Sequence, residues 1–328
     1  MLTKDEIRGV IALPPTPCKE GAGGWDAVDS VNLEEAARLA ENLIQAGVGG
    51  IGGCGTTGEC AALLADEKRE YIATLVEVAR KRVPIIGGAT CLGIKETVLQ
   101  MKGLRDVGAS AALIGLPLWQ TPTMEAMVQF YADLAEAVPD LPVMVYANSM
   151  FFKSNFPTEF WAGVSKRAKT TITCKVSYGI EHIKEDMDVA GHQINFMLPE
   201  SGAFAAYEKV GTRVKACWAT SAGSGPEPVV AMMDAILRDD HAAAKAVQDD
   251  IDALGPLLPL PPGVDFRQEF PKYNAQVQKC AANAAGYANF GPYRAPYQDL
   301  PDHYRTHLES YGQRRGQLAK KYSRVAAG

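Results

Sequence analysis

The chain has 328 residues, with Lys+Arg 33 against Asp+Glu 38 and a formal net charge of −5. Hydrophobic residues make up 47% and charged residues 22%, which excludes a disordered, collagen-like or disulfide-framework protein. No basic stripe is present to hold nucleic acid, and no run of about 18 apolar residues is present to span a membrane.

The length admits about two domains, or one α/β barrel of about 250 residues with additions. Seven cysteines without a CxxC pair read as small buried thiols in a reducing compartment. The start, Met1 to Glu6, lacks the apolar core of a signal peptide, so a cytoplasmic location is expected.

Eight short apolar runs follow in chain order: Gly9–Leu13, Val48–Gly52, Val83–Ile86, Ala111–Leu116, Pro142–Tyr146, Thr170–Val176, Ile194–Leu198 and Val214–Trp218. Such continuous runs suit strands buried on both faces of a parallel sheet. The segments between them carry the helical period. Leu33–Ala46 begins behind Asn32, with Glu35 three positions on, a capping-box signature. Asp66–Arg82 lines Tyr71, Leu75, Val78 and Ala79 along one stripe, and Met124–Val138 does the same with Met127, Phe130, Tyr131 and Leu134. This alternation predicts an α/β protein with a (β/α)8 TIM barrel over residues 1–238; an open doubly wound sheet satisfies the same alternation. After Leu237 the strand-like runs stop. Helical stretches are expected at Asp240–Leu254, Gln268–Ala285 and Asp302–Tyr322, with Pro256, Pro259, Pro261 and Pro262 marking a linker between the first two. Residues 239–328 are therefore expected to form a C-terminal helical extension packed on the barrel.

In a barrel, reacting groups sit at the C-terminal ends of strands and on the loops beyond them. Lys175 is the lone charge in the run Thr171–Val176. Lysine is almost never buried without a reason, and burial lowers its pKa and frees the amine to attack a carbonyl. A Schiff-base lysine is one reading. An edge lysine reaching solvent, or one paired with a carboxylate, is the other. Tyr146 ends the neighbouring strand, where a phenol either shuttles protons or simply satisfies a buried hydrogen bond.

Gly53-Cys54-Gly55-Thr56-Thr57-Gly58 fits GxGxxG. It follows the second strand rather than the first, and Ile86–Ala89 supplies no acid, which argues against a nicotinamide site. As an anion nest, the loop's backbone N–H groups and the Thr56 and Thr57 hydroxyls hold a carboxylate; a plain tight turn is the alternative. His303 and His307 lie four apart with no third ligand, and His182, His192 and His241 are scattered, so no metal site is expected. Cys54 and Cys174 flank these loops and have no role beyond packing.

Gly55-Thr56-Thr57-Gly58-Glu59, then Tyr146, then Lys175 in a sixth strand, resembles the dihydrodipicolinate synthase and N-acetylneuraminate lyase superfamily of pyruvate-dependent class I aldolases. Within it the chain is more similar to the hydratase-aldolases of aromatic degradation. That likeness rests on Tyr146-Ala147-Asn148 followed by Phe152-Lys153, on Phe156-Pro157 with Phe160-Trp161-Ala162, and on Trp218 and Gly225-Pro226. It continues through Lys272-Tyr273-Asn274 and Ala285-Gly286-Tyr287 to Gly291-Pro292, Arg294 and Pro296-Tyr297.

The resemblance implies roles position by position. Lys175 is expected to form a covalent imine with the substrate, in place of any cofactor, and Tyr146 to shuttle protons. Thr56 and Thr57 are expected to hold the pyruvoyl carboxylate. Asn148, Trp218 and Asn274 are expected around the aryl group and the attacking water. The implied substrate is a substituted benzylidenepyruvate, an aromatic 2-oxo acid, hydrated and then cleaved to an aromatic aldehyde and pyruvate. Sugar-acid or dihydrodipicolinate chemistry is the alternative within the superfamily. A homotetramer is its common assembly. Two departures favour the aromatic substrate. Where the synthases carry an arginine after the strand-five tyrosine, this chain has Ser149-Met150-Phe151-Phe152. Where they carry a tyrosine after the strand-four proline, Pro117 is followed by Leu118-Trp119.

Overall fold

Eight parallel strands pair in sequential order and close into a barrel. In this computed structural model they are β1 (Gly9–Ala12), β2 (Gly50–Gly53), β3 (Ile85–Gly88), β4 (Ala111–Ile114), β5 (Val143–Ala147), β6 (Thr171–Val176), β7 (Asn195–Pro199) and β8 (Ala216–Ala219). The structure describes residues 1–177 and 179–323; the end of the expected extension, 324–328, lies outside them. β1 pairs with β8, Ile11 opposite Trp218, so the sheet has no open edge and the doubly wound alternative falls.

Helices alternate with the strands: α1 (Leu33–Ala46), α2 (Ala65–Ala79), α3 (Ile94–Asp106), α4 (Met124–Ala137), α5 (Ser149–Phe152), α6 (Thr158–Arg167), α7 (Ile183–Ala190), α8 (Glu200–Val210) and α9 (Glu227–Leu237). Three more follow the barrel: α10 (His241–Asp252), α11 (Phe266–Ala285) and α12 (Asp302–Lys321).

The elements form for the reasons the sequence suggests. Every residue of β2, β3, β4 and β5 is buried, as expected of strands covered on both faces. Asn32 Oδ1 accepts the Glu35 N–H at 3.0 Å and starts α1, and Gly47, at φ +93°, ends it. The capping box is only half made: the Glu35 carboxylate turns to Arg38 and to the Asn289 N–H instead. The α4 stripe of Met127, Phe130, Tyr131 and Leu134 is buried against the barrel. On α2, Tyr71, Leu75 and Ala79 are buried, while Val78 is only partly covered.

One irregularity matters for the site. β5 and β6 begin in register with Val143 opposite Thr171, but Met144 then faces Thr173. The extra residue, Ile172, moves every later pairing by one. Tyr146 therefore lies opposite Lys175 rather than Cys174. A one-residue slip exchanges the two faces of a strand, so this bulge decides which β6 side chains join Tyr146.

Beyond the barrel, α11 and α12 pack on each other. Val277, Cys280, Ala281, Leu300, Tyr304 and Leu308 form a second apolar cluster there, which Leu258 from the α10–α11 connector also joins.

Candidate active site

Lys175 lies near the C-terminal end of β6, and 6% of it is exposed. Its Nζ sits 3.8 Å from the ring centroid of Trp218 and 3.9 Å from that of Tyr146, held between two aromatic faces. Ser177 Oγ, at 3.5 Å, is a distant hydrogen-bond partner. Lys175 makes no salt bridge among the described residues. Burial without a counter-charge pushes the ammonium well below the ordinary lysine range, toward the neutral amine. The solvent-edge and carboxylate-paired readings of this lysine both fail on these contacts.

Tyr146, near the end of β5, is buried as well. Its hydroxyl lies 3.3 Å from Thr56 Oγ1 and receives a long hydrogen bond from Asn148 Nδ2 at 3.5 Å. Burial pushes the phenol up to about 12, which keeps it protonated at neutral pH. Behind its ring the edge of Phe152 packs at 5.1 Å and 83°. Phe152 fits only because residue 115 is glycine: a Cβ there would lie 1.9 Å from Phe152 Cζ.

The loop after β2 brings Thr56 and Thr57 to the same place. Cys54 turns the chain with φ +57°, and the loop lies so close to β3 that a Cβ on Gly88 would meet the Cys54 carbonyl oxygen at 1.9 Å. Thr57 Oγ1 donates to Asn274 Oδ1 on α11 at 3.5 Å. The Cys54 and Cys174 thiols are buried and pushed up by that burial, which makes them inert.

All seven residues singled out from the sequence are assembled in one region. Tyr146 and Lys175 meet the Thr56–Thr57 loop at its floor. A cavity of about 960 Å³ rises from there, with Asn148, Trp218 and Asn274 among its lining. Two of them have part of their polar capacity already committed. Asn148 Oδ1 caps α5, accepting the Met150 and Phe151 N–H groups at 3.0 and 3.1 Å. Trp218 Nε1–H donates to the Val176 carbonyl at 2.8 Å, which fixes its ring over the lysine nitrogen.

The apolar side chains divide differently from expectation. Met150 and Phe151 line the cavity, but Phe152 lies behind Tyr146, and Trp119 stands 85% exposed away from it. Sequence reading missed the outer wall, which the extension supplies: Leu257, Leu258 and Leu260 from the connector, and the stacked pair Phe266 and Phe270 from α11. The available signal was leucines inside a proline-rich linker. Gln248, Asp252, Gln278 and Arg315 line the same cavity, so its outer part combines apolar surface with polar groups.

Among the described residues no group of three or more His, Cys, Asp or Glu is placed to hold a metal ion, and no helix is long and apolar enough to cross a membrane. His307 lies 3.0 Å from the Pro256 carbonyl oxygen, tying α12 to the connector.

Known proteins resemble this chain along nearly its whole length. The model of the dihydrodipicolinate synthetase family matches residues 11–173. The trans-o-hydroxybenzylidenepyruvate hydratase-aldolase of Pseudomonas aeruginosa is 39% identical over 326 residues, which is 98% of this chain and 96% of that protein. The trans-2'-carboxybenzalpyruvate hydratase-aldolase of Nocardioides sp. (strain KP7) is 30% identical over 323 residues, again 98% and 96% of the two chains. The solved structure of PhdJ bound to a substrate intermediate superposes with a TM-score of 0.91 at 31% identity, covering 98% of this chain and 99% of that one.

Proposed function

The chain belongs to the hydratase-aldolase group of the dihydrodipicolinate synthetase family, and we propose that it hydrates a substituted benzylidenepyruvate and cleaves it to an aromatic aldehyde and pyruvate. The observation that carries this reading is the buried Lys175 amine, between the Tyr146 and Trp218 rings and with no carboxylate partner among the described residues, at the floor of a cavity with a mostly apolar surface. The activities of the similar proteins support the same substrate class.

The neutral Lys175 amine attacks the C2 ketone and water leaves, giving an iminium. Thr56, Thr57 and the N–H groups of their loop hold the neighbouring carboxylate. The iminium draws electrons through the conjugated alkene, so a water molecule adds at the carbon bearing the ring and releases a proton, and the enamine so formed takes a proton at C3, by way of Tyr146, to restore the iminium. Trp218 covers the imine and the start of the aryl group. Asn274 Nδ2 and Asn148 Nδ2 are the amide donors near the path of that water. The new hydroxyl then gives up its proton, the carbon–carbon bond breaks, and the aldehyde departs. The electron pair stays on Lys175 as an enamine. Tyr146 returns a proton to the enamine carbon, and a second water hydrolyses the imine to free pyruvate. The water lost on imine formation equals the one used in its hydrolysis, so the net reaction consumes one water per substrate.

The same reading covers the surroundings. A barrel (1–238) carries the reacting groups and the extension (239–328) closes the aryl end. A homotetramer is the proposed assembly, supported by the exposed Leu99, Leu118 and Trp119, and sedimentation velocity tests it. Seven free cysteines support a cytoplasmic setting.

Borohydride reduction in the presence of pyruvate tests the central step. A single pyruvate-derived adduct on Lys175, located by peptide mass spectrometry, is the expected result. An active enzyme with Lys175 unmodified overturns the mechanism. Loss of the conjugated enone absorbance, followed for benzylidenepyruvates and for sugar acids, tests the substrate class.

A further inference from the structure

The turn that carries Thr56 and Thr57 ends on a carboxylate the reaction does not use. Glu59 adopts φ +55° and faces the interior, 3% exposed. Its Oε2 receives Lys279 Nζ at 2.9 Å and Arg294 Nη1 at 2.5 Å, and its Oε1 receives the Arg294 backbone N–H at 3.1 Å. Lys279, fully buried on α11, also donates to the Pro292 carbonyl at 2.6 Å. The remaining Arg294 N–H groups reach the Thr16, Pro17 and Ser30 carbonyls and Ser30 Oγ, which donates to Glu67 at 2.6 Å. Glu59 thus meets two cations directly, and Glu67 joins the network through Ser30 Oγ. Thr16 Oγ1 pins the same turn one residue earlier, donating to Gly58 O at 2.8 Å.

Buried ion pairs contribute little net stability, and their best-attested use is to fix geometry. Here the geometry fixed is functional. Thr56 touches Tyr146, and Thr57 touches Asn274, which rides on α11 together with Lys279. A shift of the turn would move the carboxylate nest relative to the lysine and the phenol at once.

We infer that Glu59 and Lys279 are positioning residues: their ion pair locks the Thr56–Thr57 turn to α11 and so sets the affinity of the site for the carboxylate of a 2-oxo acid. This inference rests on the proposed function, since it assigns that carboxylate to that turn.

The test titrates pyruvate against the yield of borohydride-trapped imine, read by intact-protein mass, with turnover measured alongside. Removing either partner alone strands a buried charge, so the main variant is the double substitution Glu59→Gln/Lys279→Met, which deletes one charge of each sign. Its half-saturating pyruvate concentration is expected to rise roughly 10- to 100-fold, with the maximal trapped yield retained. KM rises with it, while kcat stays within about threefold of wild type. Thr16→Val loosens the same turn without touching charge and is expected to raise the half-saturation in the same direction by a smaller factor. A folded double variant with wild-type half-saturation overturns the inference. Should the double variant fail to fold, unchanged half-saturation in Thr16→Val overturns it. Wild-type protein that traps no pyruvate at all sinks the proposed function itself, a separate result.

Discussion

Lys175 and Tyr146 are register partners across β5 and β6, and the amine nitrogen lies 3.9 Å from the centre of the phenol ring. The contact exists because Ile172 is an extra residue in β6. Without it Cys174 would occupy the pairing position, and the lysine side chain would point to the other face of the strand. Strand geometry thus puts an amine and a phenol side by side, and burial adjusts both. The amine is pushed toward neutrality and the phenol is kept protonated. Each is the form that imine chemistry requires at neutral pH.

A pH profile follows from those directions. Only the neutral amine attacks, so kcat/KM rises with pH as Lys175 loses its proton in the free enzyme. An unperturbed lysine would place that limb near about 10.4. Burial lowers it, so the plateau is expected well below pH 10. The phenol, pushed up to about 12, supplies no falling limb below that pH. Initial rates in overlapping buffers, paired with trapping yield against pH, locate the ascending limb and check that no falling limb follows it. An ascending limb at the ordinary lysine value would contradict the environment described for Lys175.

Tyr146→Phe separates binding from proton transfer. The ring that covers the amine remains, and only the hydroxyl near Thr56 and Asn148 is lost. A positioned general acid is worth about 10²–10⁴ in rate. Turnover should fall by a factor in that range while pyruvate trapping at Lys175 persists. Stopped-flow turnover and the borohydride adduct, measured on one preparation, give the two numbers. Wild-type turnover would remove Tyr146 from the mechanism.

The barrel, and the lysine and tyrosine at one end of it, were legible in the sequence because both are local signals. Eight buried runs separated by helical periods leave few architectures, and one lysine in an uncharged strand stands out. What was not legible depends on contacts between distant segments. The run Thr170–Val176 fits either register, and the offset at Ile172 is visible only in the folded sheet, where Met144 faces Thr173. Phe152 reads like its neighbours Met150 and Phe151, yet the short α5 capped by Asn148 turns those two to the cavity and drives Phe152 beneath Tyr146. The leucines at 257, 258 and 260 look like linker residues until α11 and α12 give them a surface to cover.

Gly115→Ala probes the support behind the phenol. The new methyl would overlap three atoms of the Phe152 ring at 1.9–2.6 Å, so the ring has to move, and Tyr146 rests on it. Overpacking of this kind costs about 1–3 kcal/mol. Thermal unfolding should register that loss, and kcat should fall as the hydroxyl leaves its place beside Thr56. Adding Phe152→Leu opens the space again and is expected to recover part of the stability. A single variant with unchanged Tm and kcat would show that the ring shifts freely and gives no support.

Lys175→Met separates function from stability in the opposite direction. A buried amine whose nearest polar partner among the described residues is Ser177 Oγ at 3.5 Å has lost most of its hydration with little in return. Burying a polar group without a good hydrogen bond costs about 1–3 kcal/mol on mutational scales. Methionine keeps nearly the same length and removes that penalty between the Tyr146 and Trp218 rings. The variant should form no adduct and turn over no substrate, yet unfold at the same temperature as wild type or higher. Calorimetry alongside the trapping assay decides the matter. A large drop in Tm would mean that the amine contributes to the fold itself, and a neutral nucleophile held at the expense of stability would no longer describe the site.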